Sequence, residues 1–385
     1  MTSLKTRIRR CTCSSAGGSE LSLRGGMTNP GTHFRPARLA RVCVGAMIAA
    51  GLASGCASPA GPIFEEPSQT LAWPPPPNPA RIRYVGQLIS SADLKPARSG
   101  LEKLGDLLVG KKEPDPLYGP RAVVCTPDGQ RVWIADPGGR CLHLFDLERR
   151  KYLKIAKVGN EYLLAPVGLC PGPSGSIYVC DSEATAIYEL SDRDGTLIAA
   201  LRLPEEIERP VALHYDGLMQ ELYAVDVTAH NIKVLGTGGS LLRMIGRRGS
   251  GPGEFNFPTA IAADDKQRWI ADTGNHRVQA IDRAGAPLAT FGQAGDAPGD
   301  LALPKSVAVD SAGNVYVVDG RFENVQIFDG EGRLLLFFGD EGTGPGEFWL
   351  PGGIFIEPGG RIWVCDSYNR RVQVFQYVQE ADSDR

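Results

Sequence analysis

The stretch Ile362-Trp363-Val364-Cys365-Asp366-Ser367-Tyr368-Asn369-Arg370-Arg371-Val372-Gln373-Val374-Phe375 contains two strand-like patterns joined by a polar turn. The first runs from an aromatic residue through aliphatic and small residues to Asp366, and the second alternates apolar with polar side chains. Successive side chains of a strand point to opposite faces of a sheet, so both patterns fit short β-strands. The stretch therefore predicts two antiparallel strands with a turn that begins at Asp366.

The same aromatic–aliphatic–small–Asp pattern occurs six times along the chain. We call the last residue of each copy the signature aspartate; the six are Asp136, Asp181, Asp226, Asp272, Asp319 and Asp366. They lie 45 to 47 residues apart, and a proline precedes each copy. A period of this length accommodates four short strands, and the β-branched and aromatic pattern excludes helical repeats. The sequence predicts an all-β fold, a six-bladed β-propeller with four-stranded antiparallel blades.

The residues just before the signature aspartates indicate how the blades pack. The aromatic residue can fill the space between two blades, and the small residue beside it lets the next sheet approach. Cys180 and Cys365 stand at the small position, so we expect buried core residues rather than catalytic thiols. Cys141 aligns with Val278 if one residue is deleted, and on that alignment it is also a core residue.

The sixth repeat lacks a fourth strand, because the chain after Val378 is a polar tail, residues 379–385. A spare strand pattern, Arg81 to Leu88, lies ahead of the first repeat. We predict that this N-terminal strand completes the last blade and covers an edge that could otherwise aggregate. The propeller itself is predicted at residues 118–378. Ahead of it, within the segment 81–117, leucines at helical spacing predict a short amphipathic helix over 100–110.

Three Gly-rich loops return the chain to the next repeat, at residues 246–255, 292–301 and 339–348. Gly251-Pro252-Gly253-Glu254-Phe255 is repeated as Gly344-Pro345-Gly346-Glu347-Phe348. Together with the signature aspartates, these loops resemble the NHL-repeat family of propellers over about Tyr118 to Val378. The whole layout resembles bacterial NHL-repeat six-bladed propeller lipoproteins.

Residues 27–55 have the layout of a secretory signal peptide, with arginines ahead of an apolar run of twelve residues from Val42 to Ala53. The run ends in Leu52-Ala53-Ser54-Gly55-Cys56, which resembles a bacterial lipobox. That resemblance implies cleavage before Cys56 and a covalent lipid on its thiol; an ordinary signal peptide with an incidental cysteine is the alternative. Residues 1–26 carry no pattern and are interpreted as untranslated or disordered.

Residues 56–80 are rich in Pro, Gly, Ser and Ala and predict a Pro-rich tether. In lipoproteins of the family that the lipobox resembles, a residue such as Ala57 after the cysteine implies sorting to the outer membrane. We therefore expect a lipid-anchored protein of the bacterial cell envelope that faces the periplasm, in contact with the membrane through its lipid, and a monomer.

We expect no nucleic-acid partner, because the formal net charge is -3 and the composition has no excess of basic residues. Four histidines remain after the signal: His143, His214, His230 and His276. Zinc needs three or four ligands, and no complete set can be named, so we expect no metal and no cofactor besides the lipid. The signature aspartates recur in every repeat, which indicates that they hold turns rather than perform catalysis.

Function is expected on the loops of one rim of the ring. The candidate binding residues there are Arg140, His230, Arg247, Arg248, His276, Arg277, Arg321, Tyr368, Arg370 and Arg371. The sequence favours a non-enzymatic scaffold that binds a protein or glycan partner. A metal-dependent lyase or hydrolase, similar to amidating lyases or lactonases, is the alternative. A subunit of an envelope export assembly is a third possibility.

Overall fold

Residues 61–64, 71–96 and 113–378 are described by a computed structural model of the chain. The predicted signal peptide, Cys56, the helix predicted over 100–110 and the polar tail lie outside the described residues. No helix of the described part is long and apolar enough to cross a membrane.

Six antiparallel sheets follow one another along the chain, one for each repeat. Blade 1 consists of strands Ala122–Cys125, Arg131–Asp136, Cys141–Asp146 and Lys151–Ile155; blade 2 of Pro166–Pro171, Ser176–Asp181, Ala186–Ser191 and Leu197–Ala200; blade 3 of Pro210–Asp216, Glu221–Asp226, Asn231–Gly236 and Leu241–Ile245. Blade 4 consists of Pro258–Ala263, Arg268–Asp272, Arg277–Ile281 and Pro287–Phe291; blade 5 of Pro304–Val309, Val315–Asp319, Asn324–Phe328 and Leu334–Phe338; blade 6 of Ile354–Ile356, Arg361–Asp366 and Arg371–Tyr377, with Ile82–Leu88 as its fourth strand and Ala72–Trp73 as a fifth.

The smaller elements are two pairs of short strands and three 3-10 turns. The pairs are Lys157–Val158 with Glu161–Tyr162, and Asp340–Glu341 with Glu347–Phe348; the turns are Ser91–Leu94, Pro173–Gly175 and Thr273–Asn275.

The first strand of each blade packs beside the first strands of the two neighbouring blades, so six first strands surround a central channel. The prediction of a six-bladed propeller is therefore confirmed. Each second strand ends at its signature aspartate, and in blades 2 to 5 this aspartate lies opposite the proline that starts the first strand, as in the pairing of Asp226 with Pro210. The turns after the signature aspartates thus lie at the end of the ring where the first strands begin. We call this end the Asp-turn face.

The ring is closed by the N-terminal strand, as the sequence predicts. Ile82–Leu88 pairs antiparallel with Arg371–Tyr377, from Ile82 opposite Tyr377 to Leu88 opposite Val372. Ile82, Tyr84 and Leu88 are buried. Because the two partners come from opposite ends of the chain, this pairing joins the first and last parts of the propeller.

The aromatic residues of the repeat fill the core between blades. Trp133, Tyr178, Tyr223, Trp269, Tyr316 and Trp363 are all buried, with no more than 1% of their surface exposed. The five described cysteines, Cys125, Cys141, Cys170, Cys180 and Cys365, are buried and unpaired. Their burial agrees with a role in packing.

Two aromatic residues of the predicted tether are packed on the ring. The Phe64 ring lies 6.0 Å from that of Trp363, and the Trp73 ring lies 5.8 Å from that of Phe375. Gly86 leaves room for Phe64, since a Cβ atom at Gly86 would lie 2.7 Å from that ring. In the described part of the predicted tether, these two aromatic residues are therefore held against blade 6 by apolar contact with its core.

Candidate binding site on the Asp-turn face

Each signature aspartate holds the start of its own blade. The Asp136 carboxylate accepts hydrogen bonds from the backbone N–H groups of Tyr118 at 2.6 Å and Gly119 at 3.0 Å, and from that of Gly139 in the following turn at 2.9 Å. The other five make equivalent bonds to residues ahead of their first strands, with donors Leu164, Glu208, Asn256, Ala302 and Trp349. This repeated arrangement satisfies buried backbone groups, a structural role.

In blades 4 and 6 an arginine and a glutamine complete the shell of the carboxylate. Arg277 Nε donates to Asp272 at 2.8 Å, and its Nη atoms donate to backbone carbonyls of the return loop at 2.7 to 2.9 Å. Arg371 does the same at Asp366. Arg277 and Arg371 were candidate binding residues. Their guanidinium groups fasten the return loops to the turns.

In blade 1 the same two positions hold a cysteine and a histidine. Cys141 pairs with Asp136 in the sheet as Arg277 pairs with Asp272, so no residue is deleted, and the alignment of Cys141 with Val278 was wrong. Burial raises the pKa of the Cys141 thiol to about 12, which keeps it protonated at neutral pH. A protonated thiol is a poor nucleophile.

His143 completes this buried group. Its Nε2 lies 3.2 Å from Asp136 Oδ2, and its Nδ1 lies 2.7 Å from the Tyr152 hydroxyl. Burial would raise the pKa of Asp136, but the hydrogen bonds from His143 and the backbone outweigh it and lower that pKa. His143 is therefore a buried histidine with its partners in place.

The fourth residue after each signature aspartate adopts the left-handed conformation that closes the turn. These residues are Arg140, Thr185, His230, His276, Glu323 and Arg370, with φ between 49° and 56°. His230 Nδ1 accepts the Phe257 N–H at 2.9 Å, and His276 Nδ1 donates to the Ala302 carbonyl at 2.8 Å. Both histidines thus link their turn to the next blade. Within the described ranges, no cluster of three or more His, Cys, Asp or Glu side chains could hold a metal ion.

The exposed candidates are Arg140, Arg247, Arg248, Arg321, Tyr368 and Arg370. Arg247 is paired with Glu254 at 2.9 Å. Tyr368 has a neighbour that the candidate list did not include: the Trp349 ring lies 5.8 Å away at an angle of 45°. Trp349 is 48% exposed and Tyr368 61%. Blade 6 therefore presents a pair of exposed aromatic rings on the Asp-turn face.

The central channel opens beside this pair. Its cavity of about 280 Å³ is lined by the six first strands, and most of the lining side chains are aliphatic. Five of the six residues that directly follow the leading prolines line the mouth; they are Arg121, Val167, Val211, Thr259 and Lys305, and the sixth, in blade 6, is Gly352. Two of the six are cations.

Arg121 and Lys305 lie on either side of Gly352. A Cβ atom at Gly352 would lie 3.1 Å from Arg121 Nη1 and 2.7 Å from Ser367 Oγ. Burial lowers the pKa of Arg121, and burial together with the Arg121 charge lowers the pKa of Lys305. Gly352 thus makes room for the Arg121 side chain, and Arg121 and Lys305 both line the mouth of the channel cavity.

The comparisons with known proteins agree with this architecture. The NHL repeat model matches residues 348–375, which include Trp349, Asp366 and Tyr368. This chain carries an NHL repeat. The resemblance predicted from the return loops and signature aspartates is thereby confirmed for the sixth repeat. No curated protein is significantly similar to the chain in sequence.

Solved structures similar to this NHL-repeat propeller share its fold at low identity. Virginiamycin B lyase from Staphylococcus aureus is 15% identical, with a TM-score of 0.51, and the match covers 68% of this chain and 96% of that one. A protein of unknown function from Bacteroides thetaiotaomicron is 17% identical, with a TM-score of 0.54 and coverages of 68% and 70%. A luciferin-regenerating enzyme is 13% identical, with a TM-score of 0.52 and coverages of 69% and 92%.

The sequence analysis missed three residues of this candidate site, namely Arg121, Lys305 and Trp349. The leading prolines were recognised, but the residues next to them were not compared between repeats. Aligned on the proline, Arg121 and Lys305 are the only cations among six equivalent residues. That comparison would have found them.

Proposed function

We propose that this NHL-repeat propeller is a non-enzymatic scaffold of the bacterial cell envelope that binds a protein or glycan partner through its Asp-turn face. Lipid on Cys56 anchors it, at the outer membrane and facing the periplasm. The observation that supports binding most directly is the exposed Trp349–Tyr368 pair beside the cationic channel mouth. Large rigid aromatic side chains next to cations are typical of binding surfaces.

The use of the other polar side chains supports the same function. The signature aspartates, Arg277, Arg371 and the two turn histidines are engaged in fastening turns and loops. The side chains left exposed on the Asp-turn face can contact a partner without changing the turns that carry them. A rigid ring with variable exposed residues is suited to recognition.

The entry of the chain onto the ring supports the proposed orientation. Ile63 and Phe64 lie beside Gly129, Glu357 and Arg361, which lie at the end of the ring opposite the Asp-turn face. Phe64 is eight residues from Cys56, a length that spans at most about 29 Å when fully extended. An anchor at Cys56 would therefore hold that opposite end near the membrane and leave the Asp-turn face free.

Crosslinking in intact cells tests binding. Wild-type protein should give one reproducible crosslinked partner, which Trp349→Ala combined with Tyr368→Ala should abolish. Leu218→Ala combined with Met219→Ala is the matched control, because both are exposed in the turn between the first and second strands of blade 3. An equal loss in both double variants would contradict the proposed face.

Membrane fractionation tests the anchor. Cys56→Ser removes the thiol that would be lipidated, so the protein should remain an uncleaved or soluble precursor. Processing and membrane attachment equal to wild type would refute the anchor. Separately, stoichiometric zinc or calcium in the purified protein, together with lyase or hydrolase activity, would favour the enzyme alternative.

A further inference from the structure

We infer that Arg121 and Lys305 form a binding site for the carboxylate of an acidic sugar at the mouth of the central channel. The inference rests on the proposed function, since it names the chemical class of the partner: a glycan that carries carboxylates. The site is built from two cations that line the same channel cavity and from the aromatic pair on the same face.

In the part of the chain that the structure describes, no carboxylate is paired with either cation. Among the described residues, neither Arg121 nor Lys305 forms a salt bridge, although the arginines of the surrounding turns do, as at Asp272 and Asp366. The charge that acts on Lys305 is that of Arg121, a second cation. Two half-buried like charges repel each other, and this repulsion is relieved when an anion lies between them.

The channel cavity has room for such an anion, because about 280 Å³ is open beside the two cations. Five blades place a side chain after the leading proline, and blade 6 places Gly352 there. The absence of a side chain at Gly352 lets the Arg121 guanidinium lie across blade 6, where Ser367, which donates to the Pro120 carbonyl at 2.7 Å, is also close to Gly352. Arginine binds carboxylates through two parallel N–H groups, and lysine adds a point charge. A carboxylate at the channel mouth can therefore be held by both cations.

The surroundings strengthen the attraction. The channel below the mouth is lined mainly by Val, Leu, Ile and Ala side chains of the first strands. Charges interact more strongly beside an apolar wall than in open water. The cost of holding two unpaired cations there is therefore offset when an anionic group binds.

The aromatic pair indicates a sugar as the carrier of the carboxylate. Tyr368 directly follows Ser367, and its N–H donates to the Trp349 carbonyl at 3.2 Å. Both rings are therefore joined to Ser367, which lies with Arg121 beside Gly352. Trp and Tyr offer flat apolar faces with a polar tip, which suits the C–H face of a sugar ring. A uronic acid unit presents such a face next to its carboxylate.

Calorimetric titration of the purified, detergent-solubilised full chain with a galacturonic acid oligomer tests the site. Wild-type protein should bind it at least about tenfold more tightly than the neutral galactose oligomer. Arg121→Gln and Lys305→Gln should each weaken uronate binding at least about tenfold, and Lys305→Arg should retain it. Lys266→Gln is the matched control, because Lys266 is an exposed lysine beside Asp264 at the opposite mouth.

Three results would overturn the inference: equal binding of neutral and acidic oligomers, unchanged affinity in both glutamine variants, or binding of an aspartate-rich peptide or inorganic phosphate as tight as that of the uronate. If the melting curve shows that Arg121→Gln does not fold, the uronate affinity of Lys305→Gln alone tests the site. Failure is separable from failure of the scaffold proposal. A crosslinked partner that the Trp349→Ala and Tyr368→Ala double variant loses, without uronate binding, refutes only the sugar site, whereas the absence of both a crosslinked partner and uronate binding refutes the scaffold as well.

Discussion

His143 occupies in blade 1 the position that Gln279 occupies in blade 4, and each side chain reaches the signature aspartate of its blade. His143 Nε2 lies 3.2 Å from Asp136 Oδ2, and Gln279 Nε2 lies 3.1 Å from Asp272 Oδ2. Both residues lie seven positions after the aspartate, and both are fully buried. The histidine therefore replaces a structural amide, although His, Cys and Asp together suggest a catalytic group.

Replacing His143 tests this equivalence. His143→Gln should reduce the free energy of unfolding by less than about 1 kcal/mol, because glutamine can again donate to Asp136. His143→Ala should cost about 1–3 kcal/mol, because it leaves a buried carboxylate without that donor. Urea unfolding measures both, and Gln279→Ala in blade 4 is the control with the same expected loss. Equal losses for His143→Gln and His143→Ala would contradict a structural role.

The fold could be predicted from the sequence because the repeat period, the strand patterns and the missing fourth strand of the last repeat are all visible along the chain. Asp366 and Trp363 recur at fixed spacing, so six equivalent blades follow. The binding site could not be obtained this way, because it depends on departures from the repeat. Arg121, Lys305 and Gly352 become neighbours only when the ring closes. Arg277 looked free for binding because the return-loop carbonyls that it meets are distant in sequence.

The buried tryptophans differ in a way that mutation can measure. Trp133 Nε1 donates to the Asp192 carbonyl at 3.1 Å, whereas no described residue accepts a hydrogen bond from Trp269 Nε1. Trp269→Ala should cost about 3–5 kcal/mol, the range for emptying a buried aromatic position. Trp133→Phe should cost about 1 kcal/mol more than Trp269→Phe, because only Trp133 loses a bond. Urea melts that give a loss below about 1 kcal/mol for Trp269→Ala would place that ring outside the core.

Uronate binding should weaken at alkaline pH, because Lys305 loses its charge there. Burial and the Arg121 charge lower the pKa of Lys305, so its charge is lost at a pH where an ordinary lysine keeps it. Affinity should therefore fall as pH rises toward the usual lysine pKa of about 10.4, and Lys305→Arg should remove most of that fall. Titration calorimetry across this range measures it. Parallel profiles for wild type and Lys305→Arg would show that another group titrates.

The lowered pKa of Lys305 also predicts that its positive charge destabilises the folded protein. A lysine whose pKa is lower in the folded state than in the unfolded state makes folding less favourable while it is charged. Lys305→Met should therefore raise the melting temperature at neutral pH, and its advantage should shrink as pH rises toward the usual lysine pKa. It should also lose uronate binding. A lower melting temperature at neutral pH would show that Lys305 stabilises the ring instead.

Removal of the N-terminal strand should destabilise the whole ring. The strand Ile82–Leu88 pairs with Arg371–Tyr377 along its length, and the Tyr84 ring lies 5.6 Å from that of Phe375. Because the partners are far apart in sequence, the pairing holds the first and last blades together, and its loss should lower the melting temperature of every blade at once. It should also expose the edge of Arg371–Tyr377, which favours association.

The experiment compares a chain that begins at Gly61 with one that begins at Ile89, by thermal melting and sedimentation. Tyr84→Ala in the longer chain is the control, since it removes a core contact and keeps the edge covered; it should melt lower and stay monomeric. Equal melting temperatures and a monomeric shorter chain would show that the ring closes without this strand.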